Sequence, residues 1–146
     1  MTETTKYIGG EYKVLQQFGG AMGHVFLVEK QGIGFPFVLK SYQDIKPHLE
    51  ELFFTEVKNW TSFGVHQNIV KTLFAEKFDG KIFVAAEFVE GNENGENRLT
   101  NYIGKNLPLH LIIKWAVQFS YGMNHCLGKG MIAHSDIKPD NILIDK

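Results

Sequence analysis

The sequence is 146 residues long, which suits one folding unit with a substantial hydrophobic core. Its 15 Lys and Arg residues balance 16 Asp and Glu residues, so charge gives no case for a nucleic acid or a membrane surface as the main partner. Cys126 is the single cysteine, and the first residues lack the pattern of a signal peptide. We therefore expect a cytoplasmic protein with no nucleic-acid and no membrane partner.

Short strands and turns are predicted in the first part of the chain. Extended patterns cover residues 12–17, 25–29 and 37–42. A cluster of glycines separates the first two runs, and Gly32 and Gly34 mark a turn before the third. Strands that follow one another without intervening helices predict an antiparallel meander rather than a βαβ unit.

A helix is predicted after the meander. Its proposed apolar face, spaced i, i+3, i+4, i+7 and i+11, consists of Leu49, Leu52, Phe53, Glu56 and Trp60. Glu56 is the exception on this face. An ionised carboxylate removed from water is costly unless it is paired, so Glu56 is expected to have a cationic partner.

A hairpin and a polar linker follow. The extended runs at residues 70–78 and 81–89 are joined by Asp79-Gly80, which is a strong hairpin signal. Residues 91–97 are almost entirely polar and predict a solvated linker. The first part of the chain is thus a small sheet with one helix, and it is followed by a hinge.

A long amphipathic helix is predicted beyond the linker. Pro108 lies near its predicted start, and Gly128 and Gly130 lie past its predicted end, where these residue types suit helix termini. The members of its apolar face, spread over about four turns, are Ile112, Trp115, Ala116, Phe119, Met123, Cys126 and Leu127. The predicted fold class is therefore α+β, with the sheet first and a helical part second.

The strongest chemical signal is the segment His134-Ser-Asp-Ile-Lys-Pro-Asp-Asn, which is followed by an apolar run that predicts a strand. Asp136 can accept the proton of an attacking hydroxyl, and Lys138 can offset charge on a phosphoryl group. The amide oxygen of Asn141 is a hard ligand suited to Mg²⁺. This segment resembles the catalytic loop of protein kinases, H-R-D-L-K-P-E-N.

A lysine and a glutamate extend the resemblance. Strand alternation places Val38 and Lys40 on one face, and Lys40 is a cation on an otherwise apolar strand. Lys40 and Glu56 can therefore satisfy each other. In the kinase family, such a pair joins the lysine that holds the α- and β-phosphates of ATP to the glutamate of helix C, so the resemblance implies this role for both residues.

The glycine-rich loop of the family is matched in part. Gly20 and Gly23 stand at the second and third glycines of G-x-G-x-x-G-x-V, whose backbone N–H groups approach phosphates closely. Phe18 stands at the first glycine position, and Gly19 beside it is the glycine that the loop could use instead. Since phenylalanine does not readily take a positive φ, this departure bears on ATP affinity.

The resemblance also implies an adenine site. By position, Val25 and Val38 would cover the two faces of the base, and Ala86 would be a small gatekeeper. The backbone of Glu87 and Val89 would meet the edge of the base. Together with the loops above, these residues imply binding of ATP with Mg²⁺, for which Asn141 is the metal ligand.

The implied architecture is an incomplete protein kinase domain. It has an N-lobe over about residues 12–89 with helix C, a hinge at 90–98, and the start of a helical C-lobe with the catalytic loop at 99–146. The chain stops before the D-F-G segment, so no useful turnover is expected from it alone. The helix at 109–127 would then expose apolar surface that a partner could cover.

The implied function is phosphorylation of Ser and Thr hydroxyls on protein substrates. Lys138-Pro139 favours the Ser/Thr class over tyrosine kinases and over small-molecule phosphotransferases of the same broad fold. Ser135 replaces the usual arginine, which indicates activity that is independent of activation-loop phosphorylation. The main alternative is a catalytically inactive kinase-like module that binds nucleotide or a protein.

Overall fold

The computed structural model of the protein describes residues 6–19, 24–42, 45–134 and 136–145. Contacts within the chain define two compact units. The first unit comprises Met1–Ser62 and Lys71–Phe88, and the second comprises Phe63–Val70 and Val89–Lys146. None of the helices in the described ranges is long and apolar enough to cross a membrane.

The first unit contains a six-stranded antiparallel sheet. Its strands are β1 (Tyr7–Ile8), β2 (Tyr12–Phe18), β3 (Val25–Lys30), β4 (Phe37–Tyr42), β5 (Thr72–Phe78) and β6 (Lys81–Glu87). The order across the sheet is β1-β2-β3-β4-β6-β5. The predicted antiparallel meander is confirmed. Strand β1 was missed, because two residues are too short to show a period.

The hairpin between β5 and β6 forms where Asp-Gly predicted it. Phe78 pairs with Lys81, and the two residues between them both have positive φ, 48° at Asp79 and 75° at Gly80. Positive φ at both central positions is the geometry of a type I′ turn, whose twist matches that of the flanking strands. The turn fixes the register of β6, which carries two of the predicted site residues, Ala86 and Glu87.

One face of the sheet carries the hydrophobic core. Its buried members are Ile8, Tyr12, Phe26, Val28, Phe37, Leu39, Phe83 and Ala85. The Tyr12 ring meets Phe37 edge-on, with 5.9 Å between ring centroids. Gly9 has a φ of +57°, and a Cβ there would collide with the Phe78 ring, so glycine lets the turn after β1 close over the core.

The helix of the first unit is α1 (Glu50–Ser62), which follows a 3₁₀ turn at Pro47–Leu49. Val57 is its buried residue. The aromatic residues that are partly buried with it are Phe53, Phe54 and Trp60. Phe53 packs on Tyr42 of β4 with 4.9 Å between ring centroids, so α1 is held against the sheet at the end of that strand.

The predicted buried face of α1 is wrong in phase. Leu52 is 58% exposed and Leu49 is 42% exposed, while Glu56 is also exposed. One residue of an α-helix corresponds to a rotation of about 100°. Because the helix buries Val57 rather than its neighbour, Glu56 is turned toward solvent, and the desolvation argument that gave it a partner does not apply in this conformation.

A helix forms where it was predicted, α2 (Leu109–Gly128), with Pro108 at its N-cap. Gly128, predicted to lie past the end, is its last residue. Gly122 and Cys126 are its buried residues. Burial raises the pKa of the Cys126 thiol, which makes this sulfur a poor nucleophile.

Part of the predicted buried face of α2 is exposed. Ile112 is 47% exposed and Leu127 is 50% exposed, and Ala116 is exposed as well. The helix turns Gly122 and Cys126 inward because the chain segment preceding β5 packs closely at Gly122. The other large apolar side chains at the surface of α2 are Leu109, Ile113, Val117 and Tyr121.

Residues 63–70 pack on α2 within the second unit. The ring Nε2 of His125 lies 2.7 Å from the carbonyl oxygen of Phe63, and the rings of His66 and His125 have centroids 4.7 Å apart. The backbone oxygen of Asn68 would be 2.6 Å from a Cβ at Gly122. Glycine is therefore what allows the segment to approach the helix so closely.

Replacing Gly122 with Ala is expected to lower the unfolding midpoint in urea. Ala in an open helical position stabilises by about 1 kcal/mol relative to Gly, but the added Cβ at Gly122 meets a backbone oxygen and should cost about 1–3 kcal/mol. Gly128→Ala is the matched control, since a Cβ there meets nothing within 4 Å. Equal midpoints for the two variants would contradict the close approach.

The predicted linker at 91–97 has no helix or strand, its residues 93–95 are exposed, and hydrogen bonds within it define its conformation. The Asn92 side-chain oxygen accepts the N–H groups of Asn94 and Glu96 at 2.9 Å and 3.0 Å. The Glu96 carboxylate accepts a hydrogen bond from the Asn92 side chain and forms an ion pair with Lys105 at 2.6 Å. Both bonds lower the pKa of Glu96, and the bond from Lys105 contributes more. The Asn92 side chain, by accepting hydrogen bonds from the backbone of its own segment, gives this polar segment a defined conformation.

Candidate active site

The three predicted catalytic residues lie together in the second unit. Lys138 Nζ is 3.0 Å from Oδ2 of Asp136. The side-chain amide of Asn141 donates to the same oxygen at 2.7 Å and to the Asp136 backbone oxygen at 2.9 Å. The structure therefore gathers a carboxylate, a cation and an amide around one point, although the carboxylate remains exposed.

A 3₁₀ turn at Pro139–Asn141 brings the amide back to the carboxylate. Proline suits the first position of such a turn because its fixed φ is preorganised and its missing N–H is not needed there. The turn closes with the N–H of Asn141 donating to the Lys138 oxygen at 2.9 Å. Local spacing alone thus explains why these side chains meet.

Backbone bonds anchor the segment that follows the turn. Leu99 donates its N–H to Ile142 at 2.9 Å, and Ile144 donates to Asn97 at 2.9 Å. The predicted apolar strand is reduced to a single antiparallel bridge between Arg98 and Leu143. Pairing goes no further because a 3₁₀ turn begins on the partner side at Leu99.

The cation and the amide set the ionisation of Asp136. The hydrogen bond from Lys138, followed by that from Asn141, holds the pKa of the Asp136 carboxyl below its usual range. The carboxylate is ionised at neutral pH and can accept a proton. Since the pKa is lower in the folded state, this group contributes stability that is present above the unfolded-state pKa and is lost as pH falls through the folded-state value.

Replacing Lys138 with Met is expected to raise the pKa of Asp136. The substitution removes the hydrogen bond that contributes most to stabilising the ionised carboxylate. Carbon-detected NMR titration of the Asp136 carboxyl should show the midpoint move to higher pH. Lys105→Met removes a cation from Glu96 instead and serves as the matched control. A midpoint that does not move in the Lys138 variant would show that the pair does not persist in solution.

Four of the predicted nucleotide residues of the first unit share one face of the sheet. Val25 lies opposite Lys40, and Val38 lies opposite Ala86. Residues directly opposite on antiparallel strands point to the same side, and so do residues two apart on one strand. All four side chains are partly buried and lie on the face opposite the hydrophobic core. We call them the site face.

The predicted ion pair between Lys40 and Glu56 is not formed in this structure. Lys40 Nζ lies 5.0 Å from the centroid of the Tyr42 ring on its own strand, and no salt bridge joins Lys40 to Glu56. The rotation of α1 that buries Val57 turns the Glu56 carboxylate to solvent. The sequence placed both residues in the correct elements but assigned the wrong side of the helix.

Glu87 and Val89, whose backbone is predicted to meet the edge of adenine, have hydrogen-bond partners within the chain. The N–H of Glu87 donates to the Lys71 oxygen at 3.0 Å, and its carboxylate accepts the Lys71 N–H at 2.7 Å. In the second unit, the Val89 carbonyl accepts from the Asn97 side chain at 2.8 Å. Their role toward adenine stays a prediction.

Two of the three predicted loop glycines, Gly20 and Gly23, lie outside the described residues, as does Ser135. Gly19 is exposed directly after β2. The structure adds an aromatic pair that sequence reasoning missed: the rings of Phe18 and Phe88 stack with 6.4 Å between centroids. Only the strand register could have revealed this pair, since the two residues are far apart in sequence.

The residues around Asp136 fit Mg²⁺ in their donor chemistry. The side-chain N–H groups of Asn141 are directed to Asp136, which leaves the amide oxygen as its ligand atom. Across the described ranges, no group of three or more His, Cys, Asp and Glu side chains could hold a metal. Asn141 would therefore supply one oxygen ligand of a site completed by phosphate oxygens and water.

Comparison with known proteins identifies the family. Residues 12–146 match the model of the protein kinase domain. The chain belongs to the protein kinase family.

Curated relatives are serine/threonine kinases. The chain is 28% identical over 141 residues to the serine/threonine-protein kinase Nek3 of Mus musculus, covering 91% of this chain and 25% of Nek3. It is 30% identical over 149 residues to the serine/threonine-protein kinase PrkC of Bacillus subtilis, covering 96% of this chain and 22% of PrkC. The chain thus spans about a quarter of the length of these two kinases.

Solved structures confirm the kinase-like fold. The PknI kinase domain of Mycobacterium tuberculosis, in a double-mutant form, superposes with a TM-score of 0.79 at 21% identity. The match covers 93% of this chain and 56% of the PknI domain. The α+β fold class, with an antiparallel sheet and one helix followed by a helical part, is therefore confirmed.

Proposed function

We propose that the protein carrying this chain is a cytoplasmic Ser/Thr protein kinase that transfers the γ-phosphoryl group of ATP to hydroxyls of protein substrates. The observation that carries the proposal is the Asp136 carboxylate, bonded to Lys138 and Asn141 at 3.0 Å and 2.7 Å within the matched kinase segment. The lobe boundaries that follow are about 12–89, 90–98 and 99–146, as the motifs predict.

The roles in the second unit follow from chemistry. Asp136, kept ionised by its neighbours, accepts the proton of the substrate hydroxyl. The hydroxyl oxygen then bonds to the γ-phosphorus while the bond from this phosphorus to the ADP oxygen breaks. Lys138 offsets charge on the transferred group. Asn141 would hold Mg²⁺, which when bound neutralises charge on the phosphates.

The roles in the first unit concern the nucleotide. Val25 and Val38 present apolar surface on the site face for adenine, and Lys40 on the same face offers a cation for the α- and β-phosphates. Glu56 would align Lys40 after a rotation of α1 that brings the carboxylate to the site face. Gly19, Gly20 and Gly23 would supply backbone N–H groups to the phosphates.

The test is phosphorylation of a Ser- and Thr-containing protein such as casein by the full-length protein, expressed from the complete reading frame that carries this chain. With γ-labelled ATP and Mg²⁺, acid hydrolysis of the product should yield phosphoserine and phosphothreonine. Label on tyrosine would contradict the Ser/Thr assignment. Label on a sugar or an aminoglycoside, with none on protein, would indicate a small-molecule phosphotransferase.

A second candidate is a binding module without phosphoryl transfer. It is favoured by the open Lys40–Glu56 arrangement and by Phe18 at a glycine position. On this reading the protein binds nucleotide or a protein partner, and the exposed apolar residues of the helix at 109–127 would lie in the partner surface. ATP binding that is unaffected by Mg²⁺, without labelled product, would establish it.

A further inference from the structure

We propose that Thr100 is a positioning residue of the phosphoryl-transfer site and that it acts by holding the turn that carries Asn141. The inference rests on the proposed function. The Thr100 hydroxyl donates to Oδ1 of Asp140 at 2.8 Å, although the two residues lie 40 positions apart in the chain. Asp140 directly precedes Asn141 in the 3₁₀ turn at Pro139–Asn141. The kinase catalytic-loop motif does not extend to Thr100, so the resemblance does not imply this role.

Bonds from outside hold this turn on both sides of Asn141. Before Asn141, the Asp140 carboxylate accepts the hydrogen bond from Thr100. After it, the carbonyl oxygen of Ile142 accepts the N–H of Leu99 at 2.9 Å. Leu99 and Thr100 are consecutive residues of a second 3₁₀ turn. Two short turns that are distant in sequence are therefore joined by one side-chain bond and one backbone bond, and these bonds flank the predicted metal ligand.

The turn that carries Asn141 is only weakly closed by its own bonds. The N–H of Asn141 donates to the Lys138 oxygen at 2.9 Å. The N–H of Ile142 donates to the Pro139 oxygen at 3.3 Å, which is long for an N–H···O bond. Hydrogen-bond geometry in 3₁₀ turns is poorer than in α-helices. The bond from Thr100 therefore adds restraint where the turn itself supplies little.

The position of the Asn141 amide decides what this side chain can bind. Its N–H group donates to Oδ2 of Asp136 at 2.7 Å, and this orientation leaves the amide oxygen for Mg²⁺. Mg²⁺ demands near-ideal octahedral geometry, so a small displacement of one ligand weakens the site. A turn released from Thr100 would place the amide less consistently, and the metal would be held less well.

The surroundings of the bond set the size of the expected effect. A hydrogen bond to a carboxylate is stronger than one between neutral groups. Thr100 and Asp140 are both exposed, so water can bond to the carboxylate when the hydroxyl is removed. We therefore expect loss of the bond to loosen the turn without unfolding the protein.

The experiment compares Thr100→Val, which keeps the shape of the side chain but has no hydroxyl, with Thr100→Ser, which keeps the hydroxyl. In the full-length protein, Thr100→Val should lower kcat on casein about threefold to tenfold. It should also reduce about threefold the gain in ATP affinity that Mg²⁺ gives in isothermal titration, and leave the metal-free affinity unchanged. Thr100→Ser should restore both values. A variant that is merely destabilised would lose active enzyme but keep the Mg²⁺ gain.

Hydrogen exchange of the metal-free protein gives a readout that does not depend on activity. Peptides covering residues 139–142 should exchange about threefold to tenfold faster in Thr100→Val, and at the parent rate in Thr100→Ser. Thr61→Val is the matched control, because the exposed Thr61 hydroxyl donates to a backbone oxygen of its own helix. This control should leave the exchange rate, kcat and the Mg²⁺ gain unchanged.

Three results would overturn the inference while the proposed function stands. The first is parent-like exchange at residues 139–142 in Thr100→Val. The second is faster exchange there with unaltered kcat and Mg²⁺ gain, since Thr100 would then hold the turn without serving the site. The third is an equal loss in Thr100→Ser, since the hydroxyl would then not be the group that matters. Absence of Mg²⁺-dependent casein phosphorylation by the parent protein would overturn the proposed function, and the inference with it.

Discussion

Replacing Asp136 with Asn is expected to lower kcat for protein phosphorylation by about a hundredfold or more, the usual contribution of a positioned proton acceptor. The amide has nearly the same shape but cannot take the hydroxyl proton. The Asp136 carboxylate contacts Lys138 and Asn141, and it is not assigned to bind adenine or the α- and β-phosphates. The Kd for ATP should therefore change by no more than about twofold.

The matched control for this variant is Asp140→Asn, in the 3₁₀ turn that follows Asp136 in the chain. Asp140 is exposed and accepts a hydrogen bond from the Thr100 hydroxyl at 2.8 Å, a bond that an amide oxygen can still accept. Steady-state kinetics on casein should show near-normal kcat for the control. If the kcat of the Asp136→Asn variant exceeds about a tenth of the parent kcat, Asp136 is not the proton acceptor.

Replacing Glu56 with Gln is expected to lower kcat about tenfold to a hundredfold without lowering stability. Glu56 is exposed and has no salt bridge in the described structure, so its neutralisation should change the free energy of unfolding by less than about 0.5 kcal/mol. Its proposed role arises only when α1 rotates and the carboxylate reaches Lys40. An unaltered stability with a reduced kcat is therefore the signature of a residue recruited during turnover.

Glu51→Gln is the matched control, because Glu51 is an exposed carboxylate on the same helix. It should leave both kcat and the urea midpoint unchanged. If Glu56→Gln is as active as this control, Glu56 has no part in aligning the nucleotide. If it unfolds the protein more readily, the observed orientation of α1 is not the one that dominates in solution.

The open arrangement of Lys40 and Glu56 is consistent with a helix that has two orientations. A ligand can shift such an equilibrium only by as much as its affinities for the two states differ. ATP phosphates would supply that difference by drawing Lys40 away from the Tyr42 ring, which it now faces at 5.0 Å. The rotation of α1 would expose Val57, which is 2% exposed in the observed state, and the lost burial of this side chain opposes the rotation.

The catalytic loop was predictable because its geometry is local. Asp136, Lys138 and Asn141 lie within six consecutive residues, and a 3₁₀ turn that starts at a proline is enough to bring them together. The site face was predictable for a similar reason. Strand alternation fixes which of Val38 and its neighbours point the same way, and the turn at Asp79-Gly80 fixes the register of β6.

The orientation of α1 was not predictable from its period. Three consecutive apolar residues, Leu52, Phe53 and Phe54, can be divided between two helix faces that are offset by one residue. The two faces have similar hydrophobicity, so the sequence does not decide which one is buried. The contact of Phe53 with Tyr42, together with burial of Val57, decides between them, and both depend on tertiary packing. The hydrogen bonds within the linker at 91–97 were not predicted, because side-chain caps such as that of Asn92 leave no periodic signal.

The most direct test of the central claim is the Mg²⁺ dependence of ATP binding by the full-length protein, measured by isothermal titration with Mg²⁺ and with EDTA. If Asn141 holds the metal beside Asp136, Mg²⁺ should tighten ATP binding about tenfold, and Asn141→Leu should abolish this gain while leaving the metal-free affinity intact. The same affinity with and without Mg²⁺ in the parent protein would contradict a phosphoryl-transfer site at these residues.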